Sequence, residues 1–261
     1  MKNKKLVSLL AVICLFAVAV STFIGCTKSA AAENEPTDTN ENIIAAQIAQ
    51  IISAKDGELL VTSDSGLYFL NVDKKTSVSK DGKALDGTAL RPGMKIQIAF
   101  DGNILETYPA RIANADTIKI TAEEDDKISL YSEAVKHIFE EREGKDFYKE
   151  KLEIVALDLT ELSSLSNAEK NALEYVLRNY FYSHTEADLI RSSYEELSES
   201  GRLKDGEFKD GLIISVKSGK SKNSFSLSLL AGSLCGYGYE KCTAKLNGGE
   251  WKISYDGAWV S

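Results

Sequence analysis

The spacing of apolar residues limits the folds open to this chain more than any other feature, because it changes once along the length. Between residues 43 and 121 apolar and polar side chains alternate. Ile96, Ile98 and Phe100 share one face with Lys95 and Gln97 on the other, and Ile118 and Ile120 alternate with Thr117, Lys119 and Thr121. A period of two sends successive side chains to opposite faces, so such segments bury one face only as strands. Asp56-Gly57, Asp81-Gly82 and Asp101-Gly102 punctuate the run, and Arg91-Pro92-Gly93 adds another turn. Asp-Gly favours a two-residue hairpin, whose two central positions both need positive φ. The pattern predicts five or six short strands in a small antiparallel, barrel-like module.

Residues 122–128 (AEEDDKI) carry charge without apolar weight and read as a domain junction. Beyond them the period becomes helical. Leu130, Ala134 and Ile138 recur at i+4 with Val135 and Phe139 beside them, predicting a helix to about residue 142. Residues 150–159 contain a short apolar strand. Ser166-Asn167-Ala168-Glu169 has the form of a capping box and opens a second helix through Ala172, Leu173, Val176, Leu177, Tyr180 and Phe181. Ser193 and Glu196 repeat the box before a shorter helix that stops at Gly201. Strands follow: Leu212, Ile214 and Val216 alternate, then Phe225, Leu227, Leu229 and Ala231, and Asn247-Gly248-Gly249 marks a hairpin. Helices grouped ahead of consecutive strands predict α+β: the barrel-like module over 43–121, then an α+β module over 128–261 with helices packed on an antiparallel sheet.

The chain begins differently. Lys2, Lys4 and Lys5 precede an apolar stretch from Leu6 to Phe23, which ends at Phe23-Ile24-Gly25-Cys26. Gly25-Cys26 at the end of such a stretch resembles the lipobox of bacterial lipoproteins, although Phe23 stands where Leu is usual. That resemblance implies a signal peptide over residues 1–25 and a lipid, palmitate included, on Cys26. An uncleaved membrane anchor and an ordinary secretory signal with a free Cys are the alternatives. Residues 26–42 have no aliphatic side chain larger than Ala and read as a flexible tether with an r.m.s. span of roughly 20–24 Å. Loss of the three leader lysines takes the net charge from −8 to −11, and an acidic body outside the cell argues against nucleic acid as a partner.

Two further resemblances concern the body of the chain. Leu90-Arg91-Pro92-Gly93-Met94-Lys95-Ile96 and the run from Phe100 to Ala110 resemble a domain of unknown function common in Gram-positive lipoproteins, with an OB-like barrel. Ala156-Leu157-Asp158-Leu159, residues 210–214, Gly236-Tyr237-Gly238 and Trp259-Val260-Ser261 resemble a module at the end of such lipoproteins and of some membrane-embedded sensor peptidases. Neither brings an assigned activity or catalytic residues. Tyr108-Pro109-Ala110 reads as a strand end with a packing aromatic.

Composition adds bounds. A 261-residue chain that is 43% hydrophobic, with four Cys, is neither disordered throughout nor a disulfide-dense scaffold. Cys235 and Cys242 admit two readings. A bulge or turn at Gly236 and Gly238 would let them pair as a disulfide, or they are small buried hydrophobes. A Cys nucleophile would need a base, and His137 is expected to face solvent and His184 to lie in a loop. The Cys and His spacing does not match a zinc site, and Gly232, Gly236 and Gly238 precede no helix that could hold phosphate. Glu123 to Asp126 read as a solvated junction rather than a calcium loop. Tyr237, Tyr239, Trp251, Tyr255 and Trp259 either cover a core or line a carbohydrate or peptide groove. No catalytic, metal or cofactor-binding residue is assigned. The expectation is a lipid-anchored protein on the extracytoplasmic face of the cell membrane, a non-catalytic binding or accessory module of the cell envelope. A hydrolase acting on wall material and a sensor or regulatory partner of a membrane protein are the alternatives.

Overall fold

The computed structural model describes residues 42–143, 152–208, 211–232 and 235–261. The signal peptide, Cys26 and the tether lie outside these residues, as do the first two residues of the strand expected over 150–159. The described residues belong to one compact unit.

The N-terminal half holds nine strands: β1 (Asn42–Ser53), β2 (Glu58–Ser63), β3 (Gly66–Asn71), β4 (Ser77–Lys80), β5 (Lys83–Leu85), β6 (Met94–Phe100), β7 (Ile104–Leu105), β8 (Ala110–Ile112) and β9 (Ala115–Glu123). They form one sheet in the order β5-β4-β9-β6-β1-β2-β3-β8-β7. The alternation read from the sequence is real: Ile96, Ile98, Ile118 and Ile120 are buried with Ile48, Val61 and Leu70 in one apolar cluster. The sheet has more strands than expected because β5, β7 and β8 are two or three residues long, too short to show a period. It is also mixed, since β8 runs parallel to β3 and β4 parallel to β9.

The Asp-Gly pairs behave differently from one another. Asp81 and Gly82 both have positive φ and join Lys80 to Lys83 in a two-residue hairpin. Gly57 ends a four-residue turn, where an added Cβ would meet the Val72 carbonyl oxygen at 2.0 Å. Asp101-Gly102 makes no hairpin, because β6 and β7 are not neighbours; the Asp101 carboxylate accepts from the Asn103 amide at 2.9 Å instead.

The second half contains α1 (Lys127–Glu143), β10 (Ile154–Asp158), α2 (Asn167–Thr185), β11 (Asp188–Arg191), α3 (Tyr194–Glu199), β12 (Gly211–Ser218), β13 (Ser224–Gly232), β14 (Cys235–Asn247) and β15 (Glu250–Val260). Both capping boxes form: Ser166 and Ser193 accept from the amides of Glu169 and Glu196, whose carboxylates accept in return from the cap amides. Gly201 follows α3 at φ 73. The sheet order is β11-β10-β12-β13-β14-β15. The expected antiparallel sheet is corrected here. β10 runs parallel to both β11 and β12, because α2 carries the chain back to the start of the sheet before β11 begins.

Both halves feed one core. Ala49, Leu60 and Leu67 of the first sheet pack in a cluster with Tyr131, Ile138 and Phe139 of α1, Leu173, Leu177 and Phe181 of α2, and Leu157, Ile214 and Leu229 of the second sheet. Two hydrogen bonds reinforce it, Gln47 to Glu169 at 3.2 Å and Thr62 to the Ala168 carbonyl at 2.7 Å. A smaller cluster on the opposite face of the second sheet packs Leu197 and Phe208 on Ala156 and Ile213. No helix among the described residues is long and apolar enough to cross a membrane.

Candidate functional site

Strand connections create the site. The chain leaves the end of β10 toward α2, which covers one face of the sheet with Leu173, Leu177 and Phe181. It leaves the end of the adjacent β11 toward α3, whose Leu197 packs on the other face. Neighbouring parallel strands whose connections part to opposite faces leave a gap outside their carboxyl ends, the usual ligand position in parallel sheets. A crevice of about 220 Å³ occupies that gap, lined by Leu157–Thr160, Asn167, Lys170, Arg191–Ser193 and Glu196.

Its walls are held from behind. Leu159, Leu162 and Leu165 anchor the loop after β10 in the core. The Ser164 amide donates to the Ser218 hydroxyl at 3.1 Å and the Lys127 ammonium to the Ser164 carbonyl at 3.1 Å. Across the gap the Ser192 amide donates to the Leu157 carbonyl at 3.2 Å.

Acids and bases of the crevice differ in how they are used. The Asp158 carboxylate accepts from the Thr160 amide at 3.0 Å and its hydroxyl at 2.6 Å, and from Ser215 at 3.4 Å. Glu196 accepts from the Ser193 amide at 2.8 Å and the Ser192 hydroxyl at 3.3 Å. Arg191 donates through one terminal nitrogen to Asn171 at 2.8 Å, and its Nε lies 3.8 Å from Glu174. Lys170 is half-buried. Among the described residues its ammonium has no carboxylate within ion-pair distance. The crevice therefore presents the Lys170 ammonium and the Arg191 guanidinium beside two carboxylates that keep acceptor capacity.

A larger concavity of about 510 Å³ lies on the first sheet between the turns at Ala54–Gly57, Asp73 and Asp86. Its carboxylates are spent on those turns. Asp73 accepts from the Lys75 amide and Asp86 from the Thr88 hydroxyl and amide, and these bonds hold both carboxyls below their ordinary range.

Four of the five aromatic residues singled out in the sequence, Tyr237, Tyr239, Trp251 and Tyr255, cover the core, whereas Trp259 is half-buried over Gly236 and Gly238. Tyr237, Tyr239 and Tyr255 lie on the helix-facing side of β14 and β15, where both Tyr237 and Tyr239 donate to the Glu141 carboxylate of α1. Burial first, and Glu141 second, push both phenols above their ordinary pKa and keep them protonated. His137 does not stand free in solvent: its ring stacks on Tyr255 with centroids 4.1 Å apart, and its Nε2 is 3.3 Å from Glu141. His184 sits in the last turn of α2 rather than in a loop, with Nδ1 2.8 Å from the Tyr180 carbonyl. Trp251 is buried and donates to the Asp126 carbonyl at 2.6 Å. Tyr108 departs from its expected packing role: it is 72% exposed and meets Tyr175 only edge-on at 6.0 Å.

Cys235 and Cys242 are free thiols. One strand holds both, so seven residues at about 3.3 Å each separate them by roughly 23 Å, against the ~4.4–6.8 Å that a disulfide spans. A bulge does occur between them, since Leu227 pairs with Tyr239 and Phe225 with Cys242. It turns Cys242 into the core without folding the strand back. Gly236 and Gly238 serve a different purpose from a bulge: a Cβ on Gly238 would lie 2.9 Å from the Trp259 ring and 2.5 Å from the Leu227 carbonyl oxygen. They make room for the indole of the neighbouring strand.

Lys170 and Arg191 went unnoticed in the sequence. The available signal was the order strand, helix, short strand across 154–191, which β11 hides by being four residues long. No family model, curated protein or solved structure matches the chain.

Proposed function

We propose that this chain is a lipid-anchored protein of the cell envelope, attached through Cys26 to the outer face of the cytoplasmic membrane. In this reading it binds a small polar ligand in the crevice between the ends of β10 and β11 and leaves it chemically unchanged. The crevice carries the reading: it lies where connections part to opposite faces, and its two carboxylates are already engaged by Thr160, Ser192, Ser193 and Ser215. The nine-stranded sheet is then a barrel-like accessory module, its inner residues enclosed in one apolar cluster. The Gly25-Cys26 pair after an apolar run supports the anchor, and the Gram-positive lipoproteins that the chain resembles supply its setting.

Two measurements test this. Intact-mass spectra of the membrane fraction should show a diacylglyceryl-modified Cys26, and Cys26→Ser should release the protein or leave its precursor uncleaved; unmodified Cys26 in that fraction overturns the anchor. The full chain in detergent should then be titrated with wall-derived peptides and sugars. Saturable binding that Arg191→Ala weakens, without product formation, supports the binding role. Turnover would make the protein a hydrolase, and co-purification with a single membrane protein a regulatory partner.

A further inference from the structure

The crevice has an electrostatic character that narrows its ligand. Two cations and two acids line it, but they are not equivalent. Both carboxylates accept hydrogen bonds from the loops that carry them, whereas Lys170, half-buried on the first turns of α2, has no ion-pair partner among the described residues. Arg191 gives one terminal nitrogen to Asn171 and holds its Nε 3.8 Å from Glu174, and among the described residues its other terminal nitrogen has no acceptor. An ammonium without a counterion is open to pairing with an incoming anion, and a guanidinium in the same lining supplies a second point of recognition for an oxyanion.

We propose that the crevice binds the carboxylate of a small molecule between Lys170 and Arg191. This rests on the reading of the crevice as the ligand site. The charge of the guest follows from the walls. Asp158 and Glu196 stand in the same lining, so a singly charged carboxylate is accommodated where a phosphate of charge near −2 is repelled. The volume of about 220 Å³ admits a molecule of amino-acid size. An ammonium on that molecule would face the two acids, so a free amino acid fits better than a simple carboxylate. At the start of α2 the Ser166 hydroxyl already takes the Glu169 amide and the Ser166 carbonyl the Lys170 amide.

The test uses the ¹⁵N-labelled full chain in detergent at neutral pH, titrated separately with L-alanine, acetate, inorganic phosphate and glucose. The amides of residues 158–160, 167–170 and 191–193 report the crevice. L-Alanine and acetate should shift these signals saturably, with L-alanine the tighter and phosphate the weakest of the three. Lys170→Met should weaken L-alanine at least tenfold with an unchanged melting temperature, and Lys170→Arg should restore most of that loss. Preference for phosphate, or full affinity in Lys170→Met, overturns the carboxylate assignment. Crevice amides that respond to glucose but to neither carboxylate overturn this assignment while leaving the crevice as the ligand site. Crevice amides that respond to none of the four probes overturn this assignment; a wall peptide or sugar that binds with shifts elsewhere on the protein overturns the site itself.

Discussion

Cys242 lies fully buried on β14 between Phe225 and Tyr255, and burial pushes its thiol up to about 12, with Asp256 adding to the shift. At pH 8 such a group is thiolate in only about one molecule in ten thousand. Iodoacetamide should therefore modify half-buried Cys235 first and reach Cys242 only when the protein unfolds; prompt double alkylation of the native chain would show Cys242 to be accessible. Because no bridge joins them, Cys235→Ala with Cys242→Ala should cost about 1 kcal/mol from the small cavity at Cys242, rather than the ~2.5 kcal/mol of a lost disulfide loop. Asp126 gives a pH signature. Burial is the largest influence and raises its carboxyl above the ordinary value of 3.8, opposed by hydrogen bonds from Ser129. The folded state thus holds this proton more tightly than the unfolded chain. The stability it contributes is present in full below the unfolded pKa and is lost as pH rises through the folded value. Asp126→Asn keeps an oxygen for the Ser129 amide without the charge, so it should raise the urea midpoint at neutral pH and converge with the wild type in acid. A variant weaker than wild type at neutral pH and equal to it in acid would show that the charge itself stabilises α1.

The β14–β15 ribbon depends on pairing small residues with large ones. Gly238 lies opposite Trp259, and its missing side chain is what lets the indole lie across the strand. Gly238→Ala would press a methyl group into the ring and into the Leu227 carbonyl, costing about 1–3 kcal/mol. Trp259→Ala in the same background should recover part of that loss, and denaturant midpoints of the four combinations give the coupling. Strict additivity would show that the backbone contact alone carries the strain. In α2 the capping box does more than start a helix: Glu169 caps Ser166 through one carboxylate oxygen and receives the Gln47 side chain on the other. One residue thereby ties the helix start to the first sheet.

The apolar cluster that runs from Leu60 through α1 and α2 to Leu229 makes the two sheets mechanically dependent. Heat or urea should unfold residues 42–261 in one transition, and Leu60→Ala should cost about 2–5 kcal/mol. Trp251 and Trp259 both sit on the second sheet, so their fluorescence midpoint provides the check. If Leu60→Ala leaves that midpoint unchanged, the halves unfold independently. The segment between them is tied down as well. Glu123 pairs with Lys80 and Arg91, and the Glu124 amide donates to the Gly93 carbonyl at 3.3 Å.

Local signals in the chain were sufficient for most of what neighbours in sequence set, the Asp101-Gly102 turn and the His184 end of α2 being the exceptions. Alternation at Ile96–Phe100 marks strands, i+4 spacing at Leu130–Phe139 marks a helix, and two capping boxes mark helix starts, because backbone geometry converts each spacing directly into a face or a cap. The Asp81-Gly82 and Gly248-Gly249 hairpins were legible for the same reason: positive φ at adjacent positions is a local requirement. Partnership between strands was not. Nothing in residues 188–191 announces a strand parallel to β10, since four residues carry no period and the pairing is decided by where α2 returns the chain. The crevice inherits that limit. Lys170 and Arg191 are 21 positions apart in sequence and unremarkable in composition; they meet only because two connections leave neighbouring strands toward opposite faces. Tertiary structure likewise decided that Cys235 and Cys242 remain apart, because continuous pairing from Cys235 to Asn247 keeps the strand extended where a turn would have closed the loop.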